Sequence, residues 1–158
     1  MRSNSTVSLR GDIDITVRDS AGRVVQTQAV KNKIVSTGLS AVSRLLAQTS
    51  GVTVANYKLA QLRVGTATTP AASGQTDLVA AVLSNGSYTL TNSDVVPTGN
   101  TVVVKATVPA AIASDITLRE VGLFLANGEL FARQTHSGIT TGTGLSIEYT
   151  WTLTFTAA

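Results

Sequence analysis

Leu145-Ser146-Ile147-Glu148-Tyr149-Thr150-Trp151-Thr152-Leu153-Thr154-Phe155 alternates apolar and polar residues without a break. A strand sends successive side chains to opposite faces, so this period of two puts Leu145, Ile147, Tyr149, Trp151, Leu153 and Phe155 on one face. Ser146, Glu148, Thr150, Thr152 and Thr154 occupy the other, and Thr156 continues it. A helix would scatter both sets around its axis. At ~3.3 Å per residue the strand spans about 33–36 Å, long for a small domain, and one of its faces must be covered.

Working back from it, Asn127-Gly128 is a hairpin signal, because both residues tolerate the left-handed backbone of a tight turn. Ile116 and Leu118 lead towards it, with Val121, Leu123 and Leu125 continuing in shifted phase after Arg119-Glu120. That shift predicts a bulge. Leu130 to Arg133 is the returning strand. Gly122 in the middle of a strand implies close approach of another segment, and Glu120 has Arg119 and Arg133 as candidate partners.

Val102 to Val108 reads as a fully buried strand ended by Pro109, and Tyr88 and Leu90 as a short one. Asp77 to Leu83 reads as a short helix or strand, after a small-residue loop from Gly65 to Gly74 and a strand from Leu59 to Val64. Near the start, Ile13, Ile15 and Val17 alternate with polar residues, Asp19-Ser20-Ala21-Gly22 signals a turn, and Arg23 to Val30 returns. One helix is expected at about residues 37–48, capped by Ser36 or Thr37, with Leu39, Val42, Leu45 and Leu46 on its inner face. Roughly eight strands, one short helix and no βαβ rhythm predict a mostly β chain folded as an antiparallel β-sandwich, jelly-roll-like. Residues 9–158 form that single domain, and residues 1–8 a flexible arm.

The 158 residues include 15 Ser and 24 Thr but only 13% charged residues, about half the usual share. Hydroxyl side chains lose little entropy on immobilisation and suit a surface used in contacts. Thr is also a good strand former. Cysteine is absent, which excludes disulfides, thiolate metal sites and Cys nucleophiles. The start is polar, without the apolar stretch of a signal peptide, and no apolar run approaches the ~20 residues of a membrane-spanning helix. No membrane association is expected.

A net charge of +3 is too small to argue for nucleic acid. Its distribution is uneven: nine basic residues face three acids over residues 1–63, and three face six beyond. Such a dipolar chain suits head-to-tail pairing with itself or docking on an acidic surface, with Arg2, Arg10, Lys31 and Lys33 as candidate partner-binding residues.

Catalytic constellations are weak. His136, the only histidine, is expected in a surface loop, and no G-x-S-x-G elbow accompanies it. Asp12 and Asp14 would lie about 7 Å apart on one strand face, but beside Arg10 and Arg18 they read as surface charge. Gly138 to Gly144 precedes a strand instead of a helix, which defeats a phosphate cradle and leaves a flexible loop or a crossover. No ligand set for a metal stands out. The expectation is no enzyme and no cofactor. Trp151, Tyr149, Phe155, Gly122, Asn127 and Gly128 are structural.

Four ordered segments resemble a domain of tailed-bacteriophage structural proteins: Lys31 to Leu39; Leu62 to Ala71 followed by Asp77-Leu78; Ile116 to Phe124 followed by Gly128 to Arg133; and the closing strand to Phe155. Such domains occur as capsid decoration (cement) proteins and as modules of tail fibres and baseplates. The resemblance implies a virion structural protein assembled in the cytoplasm of a bacterial host. Its partners would be the major capsid protein and further copies of itself, a trimer being favoured over a dimer. A chain without a shaft or receptor-binding tip is expected to decorate the outer capsid surface. A tail, neck or baseplate component and a carbohydrate-binding module are the alternatives.

Overall fold

The computed structural model describes residues 7–48, 51–83, 85–108, 112 and 115–157. Strands β1 (Val7–Arg18), β2 (Val24–Lys31) and β3 (Lys33–Ile34) precede helix α1 (Ser36–Ala47). A 3-10 turn (Val54–Tyr57) follows, then β4 (Leu59–Gly65), β5 (Ser87–Thr89), β6 (Val95–Thr98) and β7 (Thr101–Val108). The chain closes with β8 (Thr117–Leu125), β9 (Leu130–Thr140) and β10 (Ser146–Ala157). They form two five-stranded antiparallel sheets. Sheet A has the order β2-β1-β10-β7-β6 and sheet B the order β3-β9-β8-β4-β5.

This is the expected antiparallel β-sandwich. β1 and β10 pair over their full length at the centre of sheet A, from Val7 opposite Ala157 to Arg18 opposite Ser146. Both alternate cleanly, so Ile13, Ile15 and Val17 join Ile147, Tyr149, Trp151 and Leu153 in one core. Leu62, Val64, Leu118, Val121, Leu123 and Ile139 of sheet B close it from the other side. Trp151 and Tyr149 are fully buried, whereas Phe155, nearer the end, is partly exposed.

Sheet B carries a second, smaller core on its outer face. Val35, Leu78, Phe124 and Leu130 pack there. Residues of β8 are therefore buried on both faces, which explains its nearly continuous burial. The bulge expected at Arg119-Glu120 is present as a register shift between Leu118 and Glu120. Asn127 and Gly128 turn the β8–β9 hairpin: Gly128 has φ 87°, and the Asn127 side chain accepts a hydrogen bond from the Glu129 N–H at 3.0 Å.

Several expectations are corrected. Val7 and Ser8, assigned to the arm, are the first residues of β1; Met1 to Thr6 lie outside the described residues. β7 is not fully buried, because Lys105 and Thr107 point to the bare side of sheet A; Pro109 falls outside the described residues. β6 was not expected. It contains Pro97, which an edge strand tolerates because no ladder partner needs its missing N–H. Asp77 to Leu83 is neither helix nor strand and makes only an isolated bridge between Ala81 and Gly65.

α1 begins at Val35 as N-cap, with no side-chain cap. The Thr37 hydroxyl instead donates to the Leu130 carbonyl at 2.5 Å. Its inner face is made by Gly38 and Ala41, while Leu39 and Leu46 are exposed. A Cβ on Gly38 would overlap the Phe131 carbonyl, so close approach to β9 selects the small residues over the leucines.

Candidate functional site

The most elaborate polar constellation is the fully buried pair Glu120–Arg133. The bulge at the start of β8 and the hairpin bring both side chains to the outer face of sheet B. Arg133 donates to Glu120 Oε2 from Nε at 2.8 Å and lies 2.7 Å from it through Nη2. It also donates to Gln75 Oε1 and to the Thr69 carbonyl, both at 3.0 Å. Glu120 accepts the backbone N–H groups of Val79 at 3.1 Å and Ala80 at 2.7 Å.

The side-chain hydrogen bonds that this pair makes beyond itself, among the described residues, thus go to the segment between β4 and β5. Here a carboxylate, in place of a strand partner, satisfies the N–H groups of residues 79 and 80, while the Ala80 carbonyl accepts from the Thr66 N–H. Gly122 lies between Arg63 and Arg133 in the register of the sheet. A Cβ on it would come within 2.9 Å of a Leu78 methyl, so the glycine admits that leucine over the sheet. Arg63 covers the neighbouring Phe124 ring at 4.0 Å. The constellation works as a clamp that seals sheet B. Both charges are engaged by protein groups.

His136 corrects the surface-loop expectation. It lies in β9, largely buried, with Nδ1 2.8 Å from the Ser137 carbonyl and Nε2 3.2 Å from the Tyr149 hydroxyl of sheet A. The carbonyl can only accept, so Nδ1 carries the proton and Nε2 accepts from the tyrosine. Burial lowers the pKa of His136, assisted by the nearby Arg119 charge, and burial pushes the Tyr149 hydroxyl up. β9 also runs on to Thr140, so Gly138 belongs to a strand, and the rest of the Gly138 to Gly144 stretch leads from β9 of sheet B to β10 of sheet A, the crossover that was one of its two expected readings.

The outer face of sheet A is different in kind. Thr150 and Thr152 of β10 are flanked by Asp14 and Asp12 of β1, and by Lys105 and Val103 of β7. Thr154 faces Thr101, and Glu148 faces Thr16 and Thr107. Charges on this face pair locally: Arg10 with Asp12 at 2.7 Å, and Lys105 with Glu148 at 3.6 Å. The result is a surface in which threonine side chains are interspersed with these charged residues.

The candidate partner-binding residues are only partly brought together. Arg10 and Lys31 flank Asp12, one along β1 and one across the β1–β2 pair, and Arg10 is neutralised by that aspartate. Lys33 is exposed on β3, in the other sheet, opposite Arg133. Arg2 lies outside the described residues. Among the described residues no group of three or more His, Asp or Glu is placed to hold a metal ion, and no helix is long and apolar enough to cross a membrane. The clamp's reach to Thr69, Gln75, Val79 and Ala80 was not legible from spacing; the buried His136–Tyr149 bond gave no sequence signal either.

No family model, curated protein or solved structure matches the chain.

Proposed function

We propose that this chain is a virion structural protein that decorates the outer surface of a phage head and stabilises the shell, associating with copies of itself. The observation that carries the reading is the threonine-rich outer face of sheet A. Thr is stiff at χ1 and short, so ordering it in a contact costs little entropy, and its methyl and hydroxyl groups serve dry and wet contacts alike. Repeated over many copies on a lattice, such contacts need not be strong individually. The ordered resemblance to phage structural domains supplies the assembly. The sugar-binding alternative loses support, because Trp151, Tyr149, Phe124 and Phe131 are interior side chains and not platforms.

The test is cosedimentation with purified decoration-free heads and, separately, with tails, at two salt concentrations. Binding to heads is expected. Removal of residues 2–6 should weaken it at low salt if the basic arm contributes, since exposed charge contacts are screened beyond ~8 Å near physiological ionic strength. Binding to tails alone, or to neither particle, overturns head decoration.

A further inference from the structure

A sheet edge presents unpaired backbone donors and acceptors, and proteins that remain monomeric usually blunt it. Three of the four edges here are blunted. β3 has two residues, β5 has three, and β6 has four with Pro97 among them. β2 differs: eight residues, no proline or glycine, and no charge from Val24 to Val30. Its position is fixed in the sheet by pairing with β1, and against sheet B by Gln28, which shares the register position of the core residue Ile15 and whose Nε2 donates to the Ser137 carbonyl of β9 at 3.0 Å. A bulge opposite Val17 and Arg18 turns only its first residues aside, and there Val24 and Val25 are 50% and 55% exposed. Two copies thus meet over a rigid strand with little left to order.

The segment is also nearly the same read in either direction. Around Thr27, Gln26 mirrors Gln28, Val25 mirrors Ala29 and Val24 mirrors Val30. In an antiparallel pair related by a two-fold axis, residues equidistant from the axis face each other, so mirrored residues meet their like in size and polarity. Only the ends bring like charges together, Arg23 against the partner's Lys31. Arg23 is already bound by Asp19 at 2.8 Å, and that carboxylate is then available to both cations.

We propose that β2 is a self-association edge: two copies pair antiparallel through Val24–Val30 about a two-fold axis at Thr27, joining two copies of sheet A into one continuous sheet. The bare threonine faces of both copies then lie side by side, doubling the contact surface. This inference refines the self-association in the proposed function, and closes a dimer in place of the expected trimer; it does not depend on attachment to heads.

Because the chain lacks cysteine, single substitutions report the axis directly. Antiparallel partners have Cα atoms about 4.5–5.5 Å apart, inside the range that a disulfide spans. Under mild oxidation Thr27→Cys should give a covalent dimer at least tenfold more abundant than Thr98→Cys on the opposite edge. Sedimentation of the wild-type chain should give twice the chain mass. Thr27→Lys, which places like charges on the axis, should raise the dissociation constant at least tenfold with an unchanged circular-dichroism spectrum. If Thr27→Lys fails to fold, the cysteine pair decides. An oligomer that persists in Thr27→Lys, with no preference for cross-linking at position 27, overturns the edge while leaving self-association standing elsewhere. A wild-type monomer at about 100 µM overturns both, whatever the heads bind.

Discussion

From Ser146 to Leu153 of β10 every second side chain is buried, and Ser146, Glu148, Thr150 and Thr152 between them are half-exposed; on β8 seven of nine residues are buried. Both strands sit inside five-stranded sheets, yet sheet A leaves one face open and sheet B covers both. The cover is not a helix layer. It is mainly the irregular segment between β4 and β5, held by one ion pair and a few apolar side chains. A sheet face can thus be sealed by a loop when the loop's backbone groups are satisfied by a buried side chain. The other sheet can then be kept free for contacts.

The largest effects come from removing what holds each region. Trp151→Ala empties the centre of the shared core, and Glu120→Ala leaves a buried guanidinium uncompensated; each should cost ~3–5 kcal/mol. The two losses should differ in reach. Trp151→Ala lowers the cooperative unfolding transition as a whole. Glu120→Ala first releases residues 69–80, whose bonds to the pair disappear, so limited proteolysis should cut there before global unfolding. Hydrogen exchange showing these residues as protected in Glu120→Ala as in the wild type would contradict the clamp.

The centre of sheet A was legible because one face is wet, whereas its short edge strand β6 was missed and β7 was read as buried on both faces. Period-two alternation located β1 and β10, and the mirrored turn located β2. Sheet B was legible only in part, since burial on both faces erases alternation. The phase shift at Arg119-Glu120 still revealed the bulge, and the hairpin geometry offered Arg133 as a partner for Glu120. What closed over that pair was invisible, because Thr69, Val79 and Ala80 contribute backbone atoms, which leave no trace in residue type. The helix misled for a related reason. Its leucines carry the apolar signal, but the steric fit to Phe131 is set by Gly38 and Ala41.

A smaller effect probes the junction between the two regions, where His136 of sheet B meets Tyr149 of sheet A. Burial lowers the folded-state pKa of His136 below its ordinary value near 6.5, with Arg119 acting in the same direction. The unfolded chain therefore binds the proton more readily than the folded one below that value. Stability is full above about pH 6.5 and falls as pH drops from there through the lowered folded-state value, levelling off below it. His136 is the only histidine, so denaturation midpoints measured from pH 8 to pH 5 should decline in the wild type and flatten in His136→Gln. An equal slope in both proteins would show that the junction is not the titrating element.

The smallest expected effect on stability lies on the open face and is the sharpest test of its freedom. Thr152 is next to Trp151 in sequence but points the other way, between Asp12 and Val103. Thr152→Ala removes a hydroxyl and a methyl group from a surface with no cover, and the folded chain should change by no more than ~0.5 kcal/mol. Thr152→Arg keeps the strand but adds a long, mobile cation at the centre of the face, where Arg10 and Lys105 are already paired with Asp12 and Glu148. It should fold with nearly the wild-type denaturation midpoint and bind heads markedly less, because ordering that side chain and desolvating its charge both oppose contact. A midpoint lowered as far as in Trp151→Ala would mean that the face is covered within the protomer, and the contrast between the two sheets would collapse. Wild-type attachment by Thr152→Arg would leave the contrast intact but move the contact surface off sheet A.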